Sequence, residues 1–313
     1  MNFLIFSLIQ TVLVIALAPL MIGMIRMAKA RFQNRRGASV FQPYWALLTL
    51  CRKEMTITTQ SSWVFRVVPF VVLTTSIVLA ILMPTLGFGG FFAQASSVFL
   101  IGAILAIGSL FLVFGGMDVS SAFGGMGSSR EMTLAALVEP STVLTLVTLA
   151  LAAGSWNLDG IFASFAHTPW YASHPLLILT FLALGCVILS EGARYPVDNP
   201  ATHLELTMVH EAMILEYSGP YLAMLEMASA IKLTVLALFL MGLVFPWGVV
   251  ASGAGIGAMV IGILAMIVKL FVAAFAVAFI ESTLVKMRFY RMQEYMTTAY
   301  FLGLTGLVLS LLF

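Results

Sequence analysis

Five carboxylates fall between residues 190 and 219: Glu191, Asp198, Glu205, Glu211 and Glu216, set against one basic residue, Arg194. The whole chain holds only 13 Asp and Glu, so this is a one-signed cluster between two long apolar runs. At the edge of a lipid-buried core such a cluster marks a path for protons or cations, or a surface on which a partner docks. An ordinary polar connection is the alternative. Connections of that kind are usually rich in Gly, Ser and mixed charge, whereas this one reads as helical after Pro200.

Other ionisable residues lie inside apolar runs. Glu139 is followed by Pro140. A carboxylate there is costly unless paired, solvated or protonated, and proline removes a backbone donor and loosens the helix locally. A proton-relay element and a neutral Glu bonded to a neighbouring helix both fit. Lys232, Lys269 and Glu281 form a second polar set, with Glu226 near the start of its span. Lys232 stands six residues from Glu226, an awkward spacing along one helix, so its partner is expected across the bundle. Lys269 stays charged only beside a carboxylate or a wet cavity, and Glu281 is either interfacial or part of the set. His203 and His210 share a helical face beside Glu211, while His167 and His174 suit a solvated connection. None belongs to a metal motif, and the two cysteines, Cys51 and Cys186, supply no iron–sulfur quartet. No metal or other cofactor is expected in this chain.

The elements that hold these residues are set by composition. The chain has 313 residues, 61% hydrophobic and 9% charged, with a net charge of +2. Soluble domains carry about 25% charged residues, so this is an all-α polytopic membrane protein, with lipid and not nucleic acid around it. The apolar stretch Phe3 to Met24 is long enough to span and lacks a basic leader, so it reads as a retained helix. Eight spans are expected near 3–25, 66–88, 97–116, 132–154, 174–191, 221–245, 254–281 and 295–313, forming a single membrane domain over 1–313. Thirteen of the 15 Lys and Arg fall in the first, third, fifth and seventh connections, and Lys232 and Lys269 fall within spans. By the positive-inside rule both termini lie outside, and large connections 1, 3 and 5 face the cytoplasm.

The first connection is longer than orientation alone requires. Within it Gln42 to Glu54 reads as an amphipathic helix, with Phe41, Trp45, Leu48 and Cys51/Arg52 at helical spacing. It suits a platform for a soluble subunit, and a purely topogenic loop is the alternative. The third connection, 115–131, is Gly- and Ser-rich; it is expected as a packing turn, with Ser128 or Ser129 capping the next helix near Glu131.

Taken together, Glu191-x-x-Arg194-x-Pro196-x-Asp198-x-Pro200, Glu205 and the GluTyrSerGly at 216–219 resemble the signature of the subunit 1 family of respiratory complex I and membrane-bound [NiFe] hydrogenases. ArgArgGly at 35–37, GlnPro at 42–43, LysGlu at 53–54 and Glu139 agree. ProValAsp in place of ProPheAsp, Ala201, His203, Gly37-Ala38 and Ala46 depart from the quinone-reducing branch, and HisLeuGluLeuThrMetValHisGlu at 203–211 looks more like the hydrogenase-4 component C and formate-hydrogenlyase subunit 4 branch. The resemblance implies a membrane anchor in a multisubunit redox complex of the bacterial or archaeal cytoplasmic (inner) membrane. Its expected partners are hydrophilic hydrogenase-like large and small subunits, an iron–sulfur subunit and antiporter-like membrane subunits, with the [NiFe] centre and iron–sulfur clusters residing in those partners. Docking is expected at Arg35, Arg36, Gln42, Glu54 and Arg194. Proton (or Na⁺) translocation is expected through Glu139, Glu191, Asp198, Glu205, Glu211, Glu216, Lys232 and Lys269, with no catalytic residue in this chain. The rivals are the quinone-site subunit of an NADH-quinone oxidoreductase-type complex and a standalone secondary transporter. The latter should show paired repeats and a site at the bilayer midplane; here charge concentrates at one surface.

Overall fold

In lipid an apolar backbone has no hydrogen-bond partner but itself, and each long apolar run folds accordingly as a helix. The computed structural model describes residues 3–198, 208–284, 287 and 289–312. Its helices, in chain order, are α1 Phe3–Phe32, α2 Gln42–Arg52, α3 Trp63–Leu82, α4 Val98–Asp118, α5 Ala122–Ala153, α6 Leu158–His167, α7 Trp170–Ser173, α8 Ile178–Glu191, α9 His210–Ile214, α10 Gly219–Val244, α11 Ile256–Thr283 and α12 Phe289–Leu312.

Among the described residues seven helices (α1, α3, α4, α5, α10, α11 and α12) are long and apolar enough to cross a membrane. The chain is a multi-pass membrane protein. The eighth expected span is shorter, a single 3-10 turn at Pro175–Leu177 running into α8. At the same end of the bundle α6 buries Leu158, Ile161, Phe162 and Phe165, and Phe162 stacks on Phe239 of α10. Most of the apolar window of α10 (67%) is inside the bundle, more than for any other span, and α10 packs against α1, α2, α3, α8 and α11. The outward face of α11, with Ile256, Val260, Phe271 and Phe275, stays exposed, as lipid-facing side chains do.

Helix starts follow local chemistry. Ser62 accepts the Val64 N–H at the start of α3, and Ser121 accepts the Gly124 N–H at the start of α5. Proline stands in the first turn of α2 and of α10, where a missing donor costs nothing. The third connection departs from expectation: most of 115–131 is helical, α5 begins ten residues early, and the turn shrinks to 119–121. Its glycines allow the close approach that the sequence suggests, because a Cβ on Gly124 would run into the Gly116 carbonyl oxygen. Glu131, expected near a helix end, therefore sits well inside α5.

Side-chain bonds define two ends of the bundle. At the basic end Ser62 donates to Asp118, Thr56 and Ser218 share hydrogen bonds, and Lys29 meets Glu281. These contacts tie the end of α1 and the α2–α3 connection to the end of α4, the start of α10 and the end of α11. At the other end a short parallel pair, β1 (Gly87–Phe88) with β2 (Val250–Ala251), lies beside Asp159, which accepts the Gly89 N–H at 2.9 Å. Cys51 is exposed at the basic end, whereas Cys186 lies partly buried in α8. If the basic end is cytoplasmic, a membrane-impermeant maleimide labels Cys51 in inside-out vesicles and not in right-side-out ones, and Cys186 stays unlabelled in both. Labelling of Cys51 in right-side-out vesicles reverses the orientation.

Candidate functional site: a charged cavity joined to buried carboxylates

Glu281 stands in the last turn of α11, where the helix dipole already places negative charge. It is 5% exposed and compensated by two cations: Lys29 of α1 at 3.1 Å and Arg194 at 3.4 Å. Arg194 reaches it from the turn after α8, where Ala193 adopts the left-handed region (φ +49°) and swings the chain inward. Lys29 also sits 4.6 Å from the Tyr195 ring. Three segments distant in sequence thus converge on one carboxylate.

The same turn carries Asp198, 2% exposed, whose carboxylate accepts the N–H groups of Val209 (3.3 Å) and His210 (2.9 Å). It caps the first turn of α9 from across the fifth connection. Arg130 of α5 donates to the Met208 carbonyl at 2.8 Å, and Gly127 has Val209 and Ala212 against it. In this way α9 is held against α5.

Between α1, α2, α9 and α10 lies a cavity of about 270 Å³. Pro43 and Leu47 of α2 form its lid, and Arg26, Arg194, Glu211 and Glu226 put two cations and two carboxylates on its wall. Burial, Asp198 and Glu226 push the Glu211 carboxyl up to about 7, against a smaller opposing pull from Arg194 and Arg26. Burial, and then Lys232, push His210 down to about 4, with Asp198 opposing. His210 is therefore neutral at physiological pH, and Glu211 titrates there.

Beyond His210 two narrow crevices lead inward. One holds Glu131, Ser109 and Lys232, and the other holds Glu131, Glu191 and Asp198. Lys232 of α10 pairs with Glu191 of α8 at 3.1 Å, the cross-bundle partner that its spacing from Glu226 demanded. Deeper in α5, Glu139 stands beside Ser109 of α4, within the electrostatic reach of Glu191.

Of the expected ion-path residues, the structure gathers Glu191, Asp198, Glu211, Lys232 and Glu139 along this route. Lys269 is apart from them: it is buried in α11 with its ammonium 5.4 Å from the Trp247 ring, and among the described residues no carboxylate pairs with it. Glu216 is exposed at the surface. Glu205, Pro200 and His203 lie outside the described residues, so the His203–His210 face does too. Of the expected docking residues, Arg35, Arg36, Gln42 and Glu54 are exposed, but Arg194 is buried to 6% and belongs to the Glu281 cluster, because its charge is needed inside. Phe41, Trp45 and Leu48 of the α2 segment point outward and exposed, opposite the cavity.

Sequence reasoning left Arg26, Glu131, His210, Glu226 and Glu281 out of the site. Glu281 carried a legible signal, since an acid in a last helical turn needs a cation. Glu131 was hidden by the misplaced start of α5.

A family model described as NADH dehydrogenase matches residues 4–312. Formate hydrogenlyase subunit 4 of Escherichia coli (strain K12) is 31% identical over 283 residues, covering 90% of this chain and 91% of its own. Hydrogenase-4 component C of the same organism is 32% identical over 286 residues, covering 91% and 89%. The NADH-quinone oxidoreductase H subunit of Paraburkholderia xenovorans (strain LB400) is more distant, 27% identical over 240 residues, covering 71% and 66%. The fold matches, with a TM-score of 0.84 and 18% identity, a chain of the membrane-bound sulfane sulfur reductase, an archaeal respiratory membrane complex, over 97% of this chain and 98% of that one.

Two outcomes follow from the charges. Glu281→Ala strands Lys29 and Arg194 and is expected to destabilise the purified protein by about 3–5 kcal/mol in denaturant unfolding. Glu281→Gln, which keeps an acceptor, costs less; a loss no greater than that of exposed Glu216→Ala removes Glu281 from this role. For Glu211 the raised carboxyl means the folded state binds the proton more tightly than the unfolded state does. Its contribution is complete below the unfolded pKa and is lost as pH rises through about 7. The melting temperature of the parent should fall between pH 5 and pH 8 more steeply than that of Glu211→Gln, and equal slopes contradict the assignment.

Proposed function

The chain belongs to the NADH dehydrogenase family, and we propose that within it this protein is the membrane anchor of a group 4 [NiFe] hydrogenase or formate-hydrogenlyase type complex, coupling electron transfer in a docked redox arm to proton (or Na⁺) movement. The observation that carries the reading is the set of ionisable groups on adjoining spaces: Glu211 and His210 at the cavity, Glu131 and the Lys232–Glu191 pair at the crevices, and Glu139 beside Ser109. Alignment with the two hydrogenase-type relatives over about nine-tenths of each chain supports the choice of branch.

In this reading the hydrophilic large and small subunits and an iron–sulfur subunit sit on the basic end, over Arg35, Arg36, Gln42 and Glu54, all exposed. Antiporter-like subunits flank the spans within a bacterial or archaeal inner membrane. Redox chemistry, supplied by metal centres in the partners, changes the charge near the cavity. Glu211, poised near neutrality, takes or gives a proton in response. A changed charge there alters the field at Glu131 and at the Lys232–Glu191 pair, which lie beyond His210 where water screens little. Glu139, beside Pro140 within the continuous helix α5, is the inner end of the proposed route.

A second reading, a quinone-site subunit, draws support from the cavity itself, which lies beneath the first and fifth connections and has Pro43, Leu47 and Ile214 as apolar lining. One experiment separates the two. In vesicles carrying the assembled complex, Glu139→Gln and Glu191→Gln should lower the protons moved per electron by about tenfold, with partner subunits still co-purifying; ratios equal to the parent's sink the proposal. Reduction of an added short-chain quinone by the parent, blocked by Ala46→Phe at the cavity lid, would favour the quinone reading instead.

A further inference from the structure

Three internal spaces meet at a single side chain. His210 lines the cavity under α2, the crevice that holds Glu131 and Lys232, and the crevice that holds Glu191 and Asp198. No other described residue borders all three. Glu131 and Ser109 are shared by the two crevices, and Leu225 and Ser229 by the cavity and one crevice, so His210 is the only ionisable link from cavity to interior in this set.

Its placement is fixed by the backbone and not by the ring. The Asp198 carboxylate holds the His210 N–H at 2.9 Å and the preceding Val209 N–H at 3.3 Å. Close approach of α9 to Gly127 prevents the helix from backing away: a Cβ there would meet Ala212 and Val209 at 2.9 Å.

We infer that the imidazole of His210 is the relay through which protons cross between the cavity and the interior carboxylates. The inference rests on the coupling function proposed above and names the residue at which the two halves of the route join. A neutral imidazole suits this task, because it accepts a proton on one nitrogen and releases one from the other. In the inward step the Glu211 carboxylic acid passes its proton, through water in the cavity that both residues line, to one ring nitrogen. The imidazolium then releases the proton of its other nitrogen to the Glu131 carboxylate. The ring ends neutral in its other tautomer, Glu211 ends as the anion and Glu131 as the acid; nothing is oxidised, and one proton has moved inward. The two crevices, of about 30 and 20 Å³, each have room for one bridging water.

The charges around the ring set the direction of control. Lys232 of α10 and burial disfavour the imidazolium, and Asp198 of the preceding turn favours it. Arg26 of α1, Arg194 of the turn and Glu226 of α10 face it across the cavity; Glu131 of α5 and Glu191 of α8 face it across the crevices. The cation is therefore a transient, formed when a proton arrives from Glu211 and drained toward whichever interior carboxylate is then ionised.

The test uses the assembled complex in vesicles, with the rate of proton transfer coupled to electron flow as the readout and Glu139→Gln measured alongside. His210→Gln keeps size and polarity but exchanges no proton, and the rate of coupled proton transfer should fall about a hundredfold, the low end of what a positioned acid–base group contributes. In His210→Ala, free imidazole added to the medium should restore part of the loss, which a merely structural role would not allow. If His210→Gln matches the parent while Glu139→Gln is defective, the relay assignment is wrong and the coupling function stands. If both match the parent, the coupling function and the relay fall together.

Discussion

A carboxylate removed from water at the negative end of a helix must be met by positive charge, and the basic end of this molecule is arranged around that requirement. Glu281 receives Lys29 and Arg194, which come from α1 and from the turn after α8. Arg194 follows the left-handed Ala193 in the turn after α8. That turn in turn delivers Asp198, and Asp198 fixes the first residue of α9. The positions of His210 and Glu211, and with them the cavity wall, follow from how one buried acid is satisfied.

The same constraint shapes the interior. Lys232 projects from the most buried span, and Glu191 at the end of α8 answers it. Glu131 lies between them and His210, in crevices too small for bulk solvent. On the proposed route, a charge gained at the cavity wall changes the field at the Lys232–Glu191 pair across these crevices. Lys269 shows the contrast: it is buried on α11, yet its ammonium faces the Trp247 ring, and among the described residues no carboxylate answers it. It stands off the route and is not a link in it.

How much of this was legible in the sequence depends on which physical signal carried it. Apolar run length placed the spans well, since lipid permits little besides helix, and hydrophobic spacing located α2 to within two residues of its C-terminal end. The carboxylate cluster and the cross-bundle partner for Lys232 were also readable, because a charge inside a span implies an answer elsewhere. Other features were not readable. The start of α5 was misplaced because Gly and Ser ordinarily signal a turn, and only the contact between Gly124 and Gly116 shows that these glycines serve helix packing. Arg194 reads as a surface cation in a polar segment until its burial against Glu281 is seen. His210 looked like half of a histidine pair, whereas its place in the structure is set by Asp198, twelve residues earlier and joined to it by a backbone hydrogen bond that no periodicity encodes.

The cavity bears on how one scaffold serves different partners. Its wall is balanced in formal charge, with Arg26 and Arg194 against Glu211 and Glu226, so it attracts neither a strong anion nor a strong cation. What it offers instead is a carboxyl group poised to exchange a proton, beneath the lid of a short amphipathic helix. A neutral headgroup that takes up protons on reduction would suit such a wall, and so would a few waters answering a charge change in a docked subunit. In both cases the event that matters to the interior is the same: protonation or deprotonation of Glu211. On the proposed route the groups from His210 inward are the same whatever the source of that proton, so one arrangement of interior charges would serve either kind of event at the cavity.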